Sequence, residues 1–483
     1  MIKIFQRLPK TMIILPLGRL IAMLSGIIIS ATSGPTFWGQ HVFVRTGVDT
    51  SVGCTRGGLE LASYKHLNVG NENESDIVGA MFFVSFVLNL ISILAFSIYL
   101  IIYENNDLDY FHAMMVLWSG IFSFFIGASS ALTAPYRNEY TIALEQLFAP
   151  AARLLSFFVI YAIYKDILFS LGFSLLLSSI ITSIFSAKYI INYNLKISIN
   201  FRDFDRLVFL TKEIFSLCAN SFLANLASRV DIIIGAAALS FTSLGTYAII
   251  SSFISLISLS NLIISRYFVP EISSLLSKND IEAALLLTDD TKNLALTSVC
   301  TMSLLSQGGL YIFSQMIGIE YNFEVATAAA LLSLGPILIG SAGISGYFLS
   351  IGGGQVRERI VLMRYAGIFS ILSFSLSTHW GITGLAAGVA LAALWLIVDR
   401  QKSVNRSLGR HSDLYGNKRL IRSIYEILIH LMPFPLFSYI FNVDMNTFEI
   451  SLVTFSILTL IIFINRNNIL SSKNFFVKRF LKI

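Results

Sequence analysis

Apolar stretches about as long as a bilayer is thick follow one another along almost the whole chain, with only short polar breaks between them. A helix needs about 20 mainly apolar residues to cross the hydrocarbon core. Backbone in lipid must also satisfy its own hydrogen bonds, which leaves a bundle of spanning helices as the reading. Apolar windows place spans at 11–32, 36–62, 77–102, 111–132, 142–164, 167–190, 214–237, 244–268, 293–317, 325–350, 361–378, 382–398, 423–441 and 448–465. The expected fold is therefore an all-α multi-pass membrane protein of about 14 transmembrane helices, with no room for a large soluble domain. Composition agrees: 13% of the 483 residues are charged, where a soluble domain carries about 25%. The first span is too long for a signal-peptide core and carries Arg19, so it reads as a retained helix.

Lys and Arg beside a span resist translocation, so their placement sets orientation. Twenty-six of the 34 cations fall on one side, among them Lys3, Arg7 and Lys10, the run from Lys188 to Lys212, and the cluster from Arg400 to Arg422. The other side holds Lys165 alone, beside acids such as Glu104, Asp107, Asp109, Glu320 and Asp444. Both termini are expected in the cytoplasm. Phe475, Phe476 and Phe480 among Lys473, Lys478, Arg479 and Lys482 read as a basic amphipathic segment on the inner leaflet.

Several chemistries are excluded. The expected external loops are too short to house a glycosyl-transfer site, which argues against a glycan polymerase or ligase. The longest internal connections, 191–213 and 399–422, lack a phosphate-binding glycine loop. Gly352, Gly353 and Gly354 precede Gln355 and Val356 where such a loop needs Lys and Ser. Cys54, Cys218 and Cys300 lie far apart in apolar runs, so neither a disulfide framework nor a thiolate metal site is indicated. No enzymatic activity, ATP-driven transport, cofactor, metal or nucleic-acid partner is expected.

The seven remaining cations lie within spans, and all are arginines: Arg19, Arg45, Arg56, Arg153, Arg229, Arg266 and Arg364. A charge near mid-span costs about 2.5 to 3.5 kcal/mol, so such groups should face a watery interior or a partner. The guanidinium stays charged and grips phosphate oxygens in pairs. Arg19, Arg45, Arg56, Arg153, Arg229 and Arg266 are therefore candidates to bind an anionic cargo, with phosphate or diphosphate the natural group. Arg364, near a helix end, and Arg266, four residues before Pro270, can equally snorkel to the headgroups. Arg153 can equally bridge to Glu145.

The second span carries the strongest local signal. At about 100° per residue, Arg45, Asp49, Arg56 and Glu60 project at roughly 0°, 40°, 20° and 60°, a stripe about 22 Å long. Arg45 with Asp49 and Arg56 with Glu60 are spaced for intrahelical ion pairs, and in either reading the stripe faces inward. Asp231 follows Arg229 by two residues and so lies on another face of its helix. Desolvation disfavours the charged form of a carboxylate, which makes Asp49, Asp231 and Glu145 candidates for coupling to H+ or Na+, or static partners for arginines.

Arg19 with Gly39, and Arg229 with Gly245, mark an internal repeat in which each glycine opens the next helix. Two six-helix lobes, 1–205 and 206–402, related by a pseudo-two-fold axis normal to the membrane, are expected, with two additional helices and a basic tail at 423–483. Gly34, Pro35, Trp38 and Gly39 are similar to a Gly-Pro-x-x-aromatic-Gly helix entry. Gly53 to Arg56, the spacing of Glu145, Pro150 and Arg153, Arg229 with Asp231, and Leu244, Gly245 and Tyr247 follow in matching order. Pro270, the loop from Lys278 to Glu282, and Gly381, Gly384, Ala386 and Ala387 complete it.

On these motifs, over roughly residues 11 to 400, the chain resembles the O-antigen flippases, lipid-linked oligosaccharide transporters of the multidrug/oligosaccharidyl-lipid/polysaccharide exporter superfamily. Thr36 and Phe37 depart from the acids common in that helix entry, and Gln40 stands where an apolar residue is usual. The resemblance implies an outward flip of undecaprenyl-diphosphate-linked glycan across the bacterial inner membrane through an arginine-rich central cavity. It further implies membrane lipid, a coupling H+ or Na+, and glycan polymerase and chain-length proteins as partners. A cation-coupled drug exporter and a non-transporting scaffold for glycan-assembly enzymes are the rival readings.

Overall fold

The structure is a computed structural model that describes residues 11–66, 74–102, 108–132, 140, 143–192, 204–278, 280–317, 321–341, 345–351 and 354–408. Every regular element among them is helical: α1 (Thr11–Ser33), α2 (Pro35–His66), α3 (Glu74–Ile102), α4 (Tyr110–Leu132), a π-helical turn (Leu144–Phe148) running into α5 (Ala149–Tyr164), and α6 (Ile167–Asn192). Next come α7 (Phe204–Ala227), α8 (Val230–Ala238), α9 (Phe241–Ser277), α10 (Ile281–Ile317), α11 (Phe323–Ser341), α12 (Ser345–Ile351) and α13 (Gln355–Leu408). The expected spans from 11–32 to 382–398 fall on these helices over their described residues. Those at 423–441 and 448–465, and the basic tail, lie outside the described residues. Among the described residues, seven helices are long and apolar enough to cross a membrane, and α7 with α8 makes an eighth.

Four expected spans differ from simple helices. The span at 214–237 is two helices, α7 and α8, bent by 43° at Ser228 and Arg229. No Gly or Pro marks the break. Ser228 turns its hydroxyl back to the Asn225 carbonyl at 2.7 Å, a side-chain bond that bends helices. The span at 142–164 opens with the π turn, next to Pro150, which has no N–H to give to the preceding turn. The spans at 361–378 and 382–398 lie on α13, which departs from helical geometry at Trp380 and at Gly381, where φ is +57°. Its second part packs back along its first, since a Cβ at Gly384 would run into the Leu376 carbonyl and one at Gly388 into Ser373.

Contacts divide the chain into two compact units, Met1–Ala248 and Ile249–Ile483. In the first, α2 is the hub and touches α1, α3, α4, α6, α7 and α8. Gly34, at φ +79°, turns the chain out of α1, and Pro35 opens α2 with a ring already set for a helix. Small residues then let neighbouring backbones approach, as is usual between helices in lipid. A Cβ at Gly53, Gly57 or Gly58 would collide with Asn225, Ser221 or Cys218 of α7. The two repeat-marking glycines meet reciprocally. A Cβ at Gly39 would strike the Phe241 carbonyl and one at Gly245 the Pro35 carbonyl, while the Thr36 and Thr242 hydroxyls share a 2.8 Å hydrogen bond.

In the second unit, the Ser306 hydroxyl donates to the Phe253 carbonyl at 2.5 Å, and the Gln307 amide to the Ser333 hydroxyl at 3.0 Å. Arg400 grips the buried Glu358 with two donors across the bend of α13.

Replacing Gly245 by Val forces α9 off α2 and is expected to destabilise the protein by about 1–3 kcal/mol, the usual cost of overpacking. Gly367→Ala, where nothing lies within 4 Å of an added Cβ, should hold or raise stability by up to about 1 kcal/mol. Thermal unfolding of the detergent-purified protein checks both.

Candidate functional site: an arginine-lined cavity within the first unit

The inward face of α2 opens on a cavity of about 220 Å³, walled by residues of α1, α2, α4, the π turn, α5 and α6. Arg45, Arg56 and Arg153 line it together with Asp49 and Glu145, so guanidinium groups outnumber carboxylates by three to two. Hydroxyls from Ser25, Ser119, Ser123, Ser178, Ser179 and Thr182 complete the polar wall. The stripe on α2 thus faces inward, and five of the nine candidate residues meet at one place.

Their pairing differs in part from the spacing. Arg45 Nε does stand 3.7 Å from Asp49 Oδ2, one turn along α2. Arg56 forms an ion pair with Glu145 of the π turn, 89 positions away. This corrects the expected Arg153–Glu145 bridge. The π turn holds more residues per turn than an α-helix and changes the register between Glu145 and Arg153, which take different partners. Arg229, released from regular helix at the α7–α8 break, reaches Asp49 at 3.4 Å with its side chain 44% exposed. One carboxylate is therefore held between two guanidinium groups.

Arg153 is buried and takes an unexpected partner. Its Nη2 lies 2.7 Å from His41 Nε2, and His41 Nδ1 lies 3.0 Å from His112 Nε2. Trp38 stacks on His41 with ring centroids 5.6 Å apart, and the Arg153 guanidinium carbon sits 5.9 Å from the Trp38 ring centre. His41 and His112 were absent from the sequence reading. His41 had a signal, since it stands one turn before Arg45 and extends the α2 stripe. His112 had none, because only the fold brings α4 beside it.

Donor capacity is left over at the cavity. Arg45 Nε and Arg153 Nε are buried with no hydrogen-bond acceptor among the described residues, and on the acceptor side the same holds for Glu145 Oε2. A buried group without its partner costs about 1–3 kcal/mol, and an anion between the arginines would remove that cost.

The other candidates lie elsewhere. Asp231, in the first turn of α8, accepts a hydrogen bond from the Tyr247 hydroxyl at 2.8 Å and does not line the cavity. Arg364 pairs with Asp399 at 3.5 Å, its side chain 58% exposed. The side chains of Arg19 and Arg266 lie outside the described set.

No protein-family model and no curated protein matches this sequence. Solved membrane transporters match its fold over nearly their whole length. The structure of the lipid II flippase MurJ in an inward closed conformation aligns with a TM-score of 0.65 at 14% identity, covering 98% of this chain and 99% of that one. An outward-facing multidrug resistance MATE transporter of the MOP superfamily aligns at 0.63 and 15% identity, covering 83% and 97%. A MOP superfamily transporter from Pyrococcus furiosus, whose title reports a binding pocket of reverse polarity, aligns at 0.58 and 15%, covering 82% and 96%. The fold is thus that of these solved transporters and of the lipid II flippase.

The Arg56–Glu145 pair is open to a double-mutant cycle. Arg56→Ala and Glu145→Ala should each destabilise by about 1–3 kcal/mol, the cost of leaving a part-buried charged group without its partner. The double variant should lose less than their sum by about 0.5–3 kcal/mol. Additive losses in unfolding measurements would show that the two do not interact.

Proposed function

We propose that this chain is a flippase for undecaprenyl-diphosphate-linked oligosaccharide, an O-antigen or related surface-polysaccharide repeat unit. It carries the headgroup from the cytoplasmic to the periplasmic leaflet of a bacterial inner membrane while the polyprenyl tail stays in lipid. The observation that carries this reading is the cavity with three arginines, two of which keep a buried donor without an acceptor. Guanidinium forks suit the oxygens of a diphosphate. At about 220 Å³ the cavity is below the roughly 300–1,000 Å³ of sites for drug-sized ligands. It suits the diphosphate, and leaves the sugars to the hydroxyl-rich surroundings or to another state of the transport cycle.

The six-helix lobes 1–205 and 206–402 would rock about the cargo to give alternating access, with both termini in the cytoplasm as the cation asymmetry supports. Differential binding of cargo or of a coupling cation to the two states must supply the bias. Asp49, Glu145 and Asp231 are the acids available for a coupling ion. Glycan polymerase and chain-length proteins would act on the delivered product.

A cation-coupled drug exporter is the second reading, favoured by the MATE transporters among the structural neighbours. The excess of guanidinium groups in the cavity opposes it, since such a lining repels cationic drugs. A non-transporting scaffold leaves the cavity without a role.

Flux of labelled lipid-linked sugar in vesicles reconstituted with the purified protein separates these readings. Arg45→Ala and Arg56→Ala should each lower flux at least tenfold. Arg364→Ala, which does not line the cavity, should retain it. Full flux in both cavity variants, or none with the unaltered protein, would discard the flippase reading.

A further inference from the structure

Arg153, His41 and His112 form a hydrogen-bonded row, every member of it buried: the 2.7 Å contact joins Arg153 to His41, and the 3.0 Å contact joins His41 to His112. Arginine is a donor only, which fixes every proton along this row. Arg153 donates to His41 Nε2, so that nitrogen is bare and the imidazole proton sits on Nδ1. That proton is donated to His112 Nε2, so His112 carries its own proton on Nδ1. The His112 Nδ1 atom has no partner among the described residues. The row as it stands is a neutral pair of imidazoles capped by one cation.

There is no acceptor left for one more proton while Arg153 stays in place. A proton on His41 Nε2 would face the Arg153 N–H at 2.7 Å, donor against donor. A proton on His112 Nε2 would face the His41 N–H and turn His41 into its other tautomer, which again meets Arg153. Protonation therefore requires Arg153 to leave His41. Arg153 has somewhere to go, because it also lines the cavity with Arg45 and Arg56. The carboxylates there are largely committed, since Asp49 is shared by Arg45 and Arg229 and Glu145 is engaged by Arg56 through Oε1, which leaves only its Oε2.

We propose that His41 and His112 form a proton-binding site linked to anion binding in the cavity, with Arg153 as the moving link. Without cargo, Arg153 caps the histidine pair and holds it neutral. When a diphosphate enters, Arg153 turns from His41 to the phosphate oxygens, and one proton takes its place on His41 Nε2. The imidazolium is then shared with His112 through the Nδ1–H···Nε2 bond. Cargo and proton bind together, and linkage makes the effect reciprocal: lower pH favours the anion and the anion favours the proton.

The charged groups around the row are few. Arg45 and Arg153 act on His41 from α2 and α5, and Asp49 of α2 acts on Arg153. Asp109, just before α4, Asp166, just before α6, and Arg153 act on His112. Asp109 is also tied to the start of α4, accepting from the Phe111 and His112 backbone N–H groups at 2.9 and 3.3 Å.

This inference rests on the diphosphate reading of the cavity, and its test separates the two. The probe is a farnesyl-diphospho-sugar, whose two phosphates are both esterified and have no proton to exchange near neutral pH. Binding to the full-length protein in detergent is measured by calorimetry from pH 5.5 to 8.5, in two buffers of different ionisation enthalpy, which counts protons taken up. Between the pH at which the free site would protonate and the pH at which the bound site loses its proton, the unaltered protein should take up close to one proton per probe, and its affinity should fall about tenfold per pH unit there. His41→Gln, and the His41→Gln/His112→Gln double variant, should bind with affinity independent of pH and without proton uptake. Binding by the unaltered protein with no uptake at any pH would overturn the linkage alone. Uptake that persists in the double variant would overturn the assignment to these histidines. A complete lack of binding would overturn the diphosphate reading and the linkage with it. If the variants fail to fold, the pH dependence of the unaltered protein still decides whether the linkage exists.

Discussion

A guanidinium group within a bilayer-spanning bundle has to find either a partner or water, and the way this chain meets that demand organises its first unit. Arginine is not readily made neutral, so each buried one needs an anion, an acceptor or an aqueous space. Here α2 gathers them. Its inward stripe brings Arg45, Asp49 and Arg56 to one cavity, the π turn supplies Glu145, and α5 supplies Arg153. The glycines on the other faces of α2 are the counterpart of this load, since they let the side chains and backbone of α7 and the backbone at the start of α9 approach closely.

The two units treat their arginines differently. In the second, each described arginine of an ion pair has one acid to itself: Arg400 holds a buried Glu358, and Arg364 holds Asp399, whose Oδ2 has no donor among the described residues. In the first, Asp49 serves two arginines, Glu145 serves one, and Arg153 rests on a histidine. Among the described arginines, Arg45 and Arg153 keep a buried nitrogen without an acceptor. A bundle built only for stability would lose by this arrangement, because a half-satisfied polar network is worse than an apolar core. Under the proposed function that incompleteness is where an anion would bind, and the fold is shared with a lipid II flippase and with MATE transporters.

Much of this was legible in the chain. Hydropathy located the helices because lipid imposes length and composition together, and the four-residue spacing of charges on α2 required an inward face. Gly39 and Gly245 were marked as repeat partners, and they meet. What the chain concealed was contact between helices and local departures from regular winding. Arg56 pairs with Glu145 because a π turn sets their register, and no residue pattern announced that turn beyond Pro150. The bend at Arg229 has no Gly or Pro to signal it. His112 joined the site only because α4 packs on α2, whereas His41 could have been read as one more turn of the charged stripe.

The central claim is that the cavity in the first unit receives a diphosphate. The most direct measurement is a cryo-EM or crystal structure of the full chain with a lipid-linked diphospho-sugar bound. The account predicts phosphate density within hydrogen-bond reach of Arg45, Arg56 and Arg153, with Arg153 turned away from His41. Headgroup density elsewhere, with these arginines still on Asp49, Glu145 and His41, would contradict it.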